Sequence, residues 1–229
     1  MSDQDQQSSK GGSNSDIKKV SEGKSPRYRL DMDEKKQLYN VKVIWVIGVP
    51  GSGKSTQLKK IAEKYNCTVI DAGDLMRKEI SKNTELGNEI KTALEEDRKP
   101  STEIVLDFAL KATKMALSEK NDYIFFDGVS GESSKVELFE EYIKPCDLIL
   151  NLELDKNTSM TRIQLRAKIE GRIDDQDMER VEKRLDEYQE NIGSILKETR
   201  DRNYKYSEID ADRSEDEVFK DICNEIEKF

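Results

Sequence analysis

The sequence has no histidine, which removes the commonest general base and the commonest transition-metal ligand. Cysteine is scarce. Cys67, Cys146 and Cys223 are odd in number, widely spaced and without a C-x-x-C pair, so neither a disulfide frame nor a thiolate metal site is expected. They read as packing thiols in a reducing compartment. No apolar run approaches the length of a membrane span, and the N-terminus lacks the apolar core of a signal peptide. The expectation is a soluble, cytoplasmic chain with no membrane partner. An excess of positive charge is missing too. The net charge is -9 with 38% charged residues, so a nucleic-acid backbone is not a general partner, although a local basic pocket is still allowed.

What is there begins with a polar tail. MSDQDQQSSKGGSNSDIKKVSEGKSP (1–26) is rich in Ser, Gln, Gly and Lys and cannot bury enough apolar surface to fold, so disorder is expected. Tyr28, Leu30, Met32 and Leu38 follow among charges, fitting either a solvated linker or a short docking helix. The division expected is a tail over 1–36, able to meet a protein partner, and one domain over 37–229 with a monomeric core. From 41 the pattern changes. VKVIWVIG (41–48) is a continuous, β-branched apolar run of the kind a central parallel strand needs when both its faces are covered. CTVI (67–70), YIFF (123–126), DLILNLEL (147–154) and YKYSEI (204–209) repeat the theme, with amphipathic stretches between. Alternating strands and helices predict a three-layer α/β fold, a mostly parallel five-stranded sheet with helices on both faces. Ligands of such sheets sit beyond the carboxyl ends of the strands.

The first strand runs into GVPGSGKST (48–56), where Gly48, Gly53, Lys54 and Ser55 satisfy G-x-x-x-x-G-K-[ST] between a strand and the amphipathic stretch QLKKIAEKY. Gly48, Pro50, Gly51, Ser52, Gly53, Lys54, Ser55 and Thr56 are therefore the candidate phosphate-binding residues. Glycines let backbone N–H groups wrap the phosphates, the helix N-terminus adds its positive end, and Lys54 reaches the outer phosphates. This predicts a nucleoside triphosphate ligand, ATP with Mg2+, in a P-loop NTPase-type fold. Ser55 and Asp127, the acid that ends YIFF, are the candidate metal residues. Asp127 could instead be a turn or helix-capping aspartate. The loop after it, GVSGES (128–133), offers no cation before Lys135.

In order along the chain, GVPGSGKSTQ (48–57), DAGDLMRKEI (71–80), ELGNEIKTAL (85–94), IFFDG (124–128), LRAKIEGRIDD (165–175), EKRLDEYQ (182–189) and IDADRSEDEVFKDI (209–222) resemble the motifs of the adenylate kinase family of nucleoside monophosphate kinases, in its short-lid form. The resemblance implies a monophosphate-binding helical insert at about 72–102 and a small lid at about 166–175. It implies transfer of the ATP γ-phosphoryl group to AMP or another nucleoside monophosphate. Lys54, Arg166, Arg172 and Arg184 would supply catalytic charge. Gly73, Arg77, Asp127 and Lys135 would serve the substrate side. The interval from Arg172 to Arg184 is one residue longer than the family's, so either the surplus is absorbed ahead of a helix or Arg184 faces elsewhere.

Three departures bear on activity. Where the family reads Asp-Gly-Phe-Pro-Arg, this chain has Val129, Ser130 and Gly131, losing the arginine that grips the acceptor phosphate. Ala72 stands in place of a usual threonine. Gly-Lys-Ser-Thr replaces the usual Gly-Lys-Gly-Thr, a form common in other small-molecule kinases. Three readings stay open: a divergent active kinase, a nucleotide-binding scaffold of the same fold without efficient transfer, and a kinase for another small acceptor.

Overall fold

The computed structural model describes residues 26–96, 98, 100–127, 133–171 and 175–228. Five strands form the sheet: β1 (Lys42–Gly48), β2 (Cys67–Asp71), β3 (Tyr123–Asp127), β4 (Leu148–Glu153) and β5 (Lys205–Asp210). Their order is β2-β3-β1-β4-β5, and every pairing is parallel. The sheet expected to be mostly parallel is parallel throughout its described strands. Such pairing requires crossovers, and helices supply them. The described helices are α1 (Met32–Tyr39), α2 (Lys54–Lys64), α3 (Ala72–Ser81), α4 (Glu85–Glu95), α5 (Thr102–Ser118), α6 (Ser133–Tyr142), α7 (Lys156–Glu170), α8 (Met178–Asp201) and α9 (Glu215–Glu227), of which α2 to α8 lie between strands. No described helix is long and apolar enough to cross a membrane.

Side chains of β1 alternate between two cores, as the period of a strand dictates. Val43, Trp45 and Ile47 enter one cluster with Leu106 and Leu110 of α5, Phe139 of α6 and Ile195 of α8. Ile44 and Val46 enter the other, with Leu58 and Ile61 of α2 and Val218 and Ile222 of α9. Helices thus cover both faces, giving three layers. Because β1 is buried on both sides, its carboxyl end at Gly48 is held in place by two cores at once.

The stretch read as a solvated linker or a docking segment takes the docked form. Leu30 and Leu38 are buried in the first cluster. Asp31 and Glu34 form a capping box at the start of α1, worth about 1 kcal/mol. Glu34 also receives the Lys114 ammonium at 2.6 Å, and the N–H groups of Arg27 and Tyr28 donate to Asp107 of α5. The boundary expected at 36 falls inside α1; Leu30 and Leu38 join the cluster that holds Leu106 and Leu110 of α5, whereas Tyr28 and Met32 stay exposed. Residues 1–25 lie outside the described residues.

Between β2 and α5, α3 and α4 pack closely at Gly87. A Cβ there would meet the Glu79 carbonyl oxygen at 2.4 Å, and that neighbour is backbone. Gly87→Ala would gain about 1 kcal/mol of helix propensity, but forcing the two helices apart costs typically 1–3 kcal/mol. The substitution is expected to lower the melting temperature by several degrees. An increase would show that α4 moves freely away from α3.

Candidate active site

The loop after β1 is shaped by glycines where other residues do not fit. A Cβ on Gly48 would lie 2.6 Å from the Leu152 carbonyl oxygen, and Gly51 and Gly53 have φ of 84° and 91°. The left-handed region is costly for any residue with a Cβ. The Ser159 hydroxyl of α7 donates to the Pro50 carbonyl, pinning the loop. Gly53 is the N-cap of α2 and provides no side-chain hydrogen bond, and the first turn of α2 has no acidic residue. Most helices satisfy these first N–H groups with Ser, Thr, Asp or Asn. Here the positive end of α2 is left for an anion.

Lys54 opens that helix and folds back, its ammonium donating to the carbonyls of Gly48 at 2.7 Å and Val49 at 3.2 Å. Burial pulls its pKa below the ordinary lysine value. Asp127 and Asp71 oppose that shift, and Arg166 and Arg184 add to it. Asp127 is pushed up to about 6, chiefly by burial, with Lys54 holding it down, Asp71 raising it and Arg77 lowering it. The Ser55 hydroxyl donates to Asp71 Oδ2 at 3.3 Å. These are hard oxygen donors of the type Mg2+ accepts, and that ion usually takes one or two carboxylates and completes its shell with water and substrate phosphate. The residues present fit the ion. Among the described residues no group of three His, Cys, Asp or Glu could hold a metal unaided, so the remaining oxygens would come from a bound phosphate.

Arg166 of α7 and Arg184 of α8 meet at one buried acid. Arg166 Nε and Nη2 donate to Asp175 Oδ2 and Oδ1 at 2.6 and 2.9 Å, and Arg184 Nη1 lies 3.6 Å from Asp175 Oδ1. Asp175 is wholly buried. A fork-to-carboxylate pair fixes the plane of a guanidinium. Arg184 thus lines the cleft. On the opposite wall, Arg77 of α3 lies across Gly73, where a Cβ would come within 3.1 Å of its Nη1. Its Nη2 lies 3.9 Å from Asp74 Oδ1.

Pro50, Gly51, Ser52, Gly53, Lys54, Ser55, Thr56, Gly73, Arg77, Asp127, Arg166 and Arg184 all line one cleft of about 730 Å³. Gly48 lies beneath it as the carbonyl that receives Lys54. Residues 128–132 and Arg172 lie outside the described residues, as does the side chain of Lys135, whose backbone is in α6. Sequence reasoning missed Asp71, although TVID followed by Ala-Gly has the same strand-then-acid form as IFFD followed by Gly. It also left Asp175 without a role, and no local pattern marks an acid as the partner of two distant arginines.

The pKa of Asp127 has a consequence for stability. A folded value raised above the unfolded one means that the folded chain binds the proton more tightly, so stability falls as pH climbs from about 4 through about 6. Asp127→Asn removes that cost. The nucleotide-free variant is expected to melt about 5 °C higher than the parent near pH 7.5 and to show no such gain below pH 4. Equal gains at both pH values would show that the carboxylate carries no burial penalty.

Comparison with known proteins agrees with the geometry. The family model described as "Adenylate kinase" matches residues 46–203. Adenylate kinase isoenzyme 1 of Gallus gallus is 32% identical over 192 residues, covering 84% of this chain and 97% of that protein. Adenylate kinase 1 of Schistosoma mansoni is 31% identical over 193 residues, covering 84% and 96%. Adenylate kinase isoenzyme 1 of Homo sapiens is 31% identical over 196 residues, covering 86% and 98%. With a family match over well over half its length, a phosphate loop ahead of an uncapped helix and two arginines sharing a buried acid, this chain belongs to the adenylate kinase family.

Proposed function

We propose that this chain is a nucleoside monophosphate kinase that transfers the γ-phosphoryl group of Mg-ATP to a nucleoside monophosphate, with a complete donor half and a weakened acceptor half. The observation that carries this reading is the convergence of Lys54, Arg166 and Arg184 on one cleft at the uncapped start of α2. The names of the relatives make AMP the first acceptor to test.

Phosphoryl transfer asks a protein for alignment and positive charge more than for covalent work. An oxygen of the acceptor phosphate attacks the γ-phosphorus, the bond to the β–γ bridging oxygen breaks, and ADP leaves with that electron pair. The acceptor oxygen is already ionised at neutral pH, so the reaction needs no histidine base. In this reading the N–H groups of the 48–56 loop and of α2 hold the β- and γ-phosphates. Lys54 exchanges its two carbonyl partners for phosphate oxygens. Arg166 and Arg184, aligned by Asp175, face the oxygens of the moving group, and Arg172 of the lid adds to them. Ser55 and Asp127 would hold Mg2+, which when bound neutralises charge on the β- and γ-oxygens. Arg77, with Gly73 giving it room, binds the acceptor phosphate in the insert over 72–102.

The acceptor loop is where the chain departs. Gly131 replaces a phosphate-gripping arginine, and the loss of one charge-assisted contact costs roughly 1.5–3 kcal/mol, or one to two decades in binding. The same substitution favours the second reading, a nucleotide-binding scaffold with little turnover. Calorimetric ATP binding beside turnover with AMP, UMP, CMP, GMP and unrelated acceptors separates the two, and turnover with an unrelated acceptor alone would point to a different kinase. Lys54→Ala is expected to weaken Mg-ATP binding about tenfold or more and to abolish transfer while the chain stays folded. Unchanged affinity and rate would remove the phosphate-loop reading.

Gly131→Arg is expected to lower the apparent KM for the preferred monophosphate about tenfold, with Gly131→Ala as the control for backbone strain. If the arginine variant folds and binds ATP normally, yet gains nothing with any monophosphate, the weakened-acceptor account fails.

A further inference from the structure

Two residues of the site face each other in a way that the general reading does not use. Asp71 ends β2 and Asp127 ends β3, and the two are paired in register. Strand alternation puts both on the same face, since Val69 and Phe125, two residues earlier, belong to the cluster shared with α2. Both carboxylates therefore point to the side on which α2 begins with Lys54 and Ser55.

The oxygens of Asp71 have separate partners. Oδ1 caps α3 by accepting from the Asp74 N–H at 2.8 Å, while Oδ2 accepts from the Ser55 hydroxyl at 3.3 Å. Capping alone would need only the first. A serine hydroxyl has one proton and two lone pairs. Within a helix such a hydroxyl can donate to the carbonyl of the preceding turn; here the acceptor is Asp71. Donation to Asp71 fixes the direction of the O–H bond, so that both lone pairs are turned away from that carboxylate. Ser55 is also the residue that stands where the family resemblance leads one to expect glycine, so the hydroxyl and its acceptor form a pair within this chain.

We infer that Asp71 is a positioning residue of the Mg-ATP site, fixing the direction of the Ser55 hydroxyl so that its lone pairs are presented to the metal. The inference rests on the Mg-ATP reading above and deepens it. A partner that fixes the orientation of a metal ligand is typically worth 10–100-fold in metal affinity. Its removal should weaken ATP binding only when the metal is present, whereas a purely structural role would weaken binding with and without metal alike.

The test is calorimetric titration of the full chain with ATP, once with Mg2+ and once with EDTA, for the parent, Asp71→Asn, Ser55→Ala and the double variant. Asp71→Asn keeps a side-chain oxygen for the α3 cap. The Mg2+-dependent gain in ATP affinity is expected to fall about tenfold in Asp71→Asn, with the EDTA affinity unchanged. In the Ser55→Ala background, Asp71→Asn should cause no further loss, since the two act as a unit. An unchanged gain in Asp71→Asn, or an equal loss in both backgrounds, overturns the inference while leaving the kinase reading intact. A parent chain that binds no ATP overturns the kinase reading itself. If melting shows Asp71→Asn to be unfolded, Asp71→Ser, which also caps, takes its place with the same criteria.

Discussion

The placement of every functional group depends on one constraint, the shared direction of all five strands. Parallel pairing brings the carboxyl ends of β1, β2 and β3 to one edge, and with them the phosphate loop, Asp71 and Asp127. The edge is held firmly because β1 is covered on both faces. A slip of one residue would move Val43, Trp45 and Ile47 into the layer built for Ile44 and Val46. The hydrophobic cores thus fix the chemistry indirectly, by denying β1 any other register.

Against a net charge of -9, the cleft gathers Lys54, Arg77, Arg166 and Arg184 around a helix start with no acidic residue in its first turn. Such a local field in an otherwise acidic chain favours a polyanion at this place and disfavours one elsewhere. Of the acids that line the cleft, Asp71 accepts from the Ser55 hydroxyl, Asp127 is held by the charge of Lys54, and Glu215 lies 3.7 Å from Lys60. Asp175, which does not itself line the cleft, is wholly buried and bridges two guanidinium groups that do. Breaking such an arrangement on one side leaves charge without compensation, so the arginines and their acid form a unit.

Much of this was legible in the sequence. The five apolar runs became the five strands with small shifts at their ends, and GVPGSGKST took the loop-to-helix form that its glycines require. What escaped depended on distance in the chain. Leu30 and Leu38 could be read as linker residues because the face that buries them lies on α5. Arg184 could not be aimed from its spacing, since one residue in a connection is absorbed freely whereas one residue in a helix is not. Asp71 and Asp175 gain meaning only from partners, Ser55 in one case and two arginines in the other, which the fold brings together. Local pattern fixes elements well and tertiary pairing poorly.

The strand order carries a kinetic consequence. β1 is made early in the chain, yet its partners come late, with Lys42 pairing to Tyr123 and Ile44 to Leu148. During synthesis at about 5–20 residues per second, the most apolar segment of the molecule must wait several seconds for either neighbour. Long-range parallel pairing is slow to form and exposes unpaired edges while it does. β2, α2 and the α3–α4 pair emerge in the interval and cannot close the sheet, because β3 lies between β2 and β1. The arrangement that aligns the phosphate loop with its acids therefore leaves the nascent chain with an open apolar strand until the middle of its length has been made.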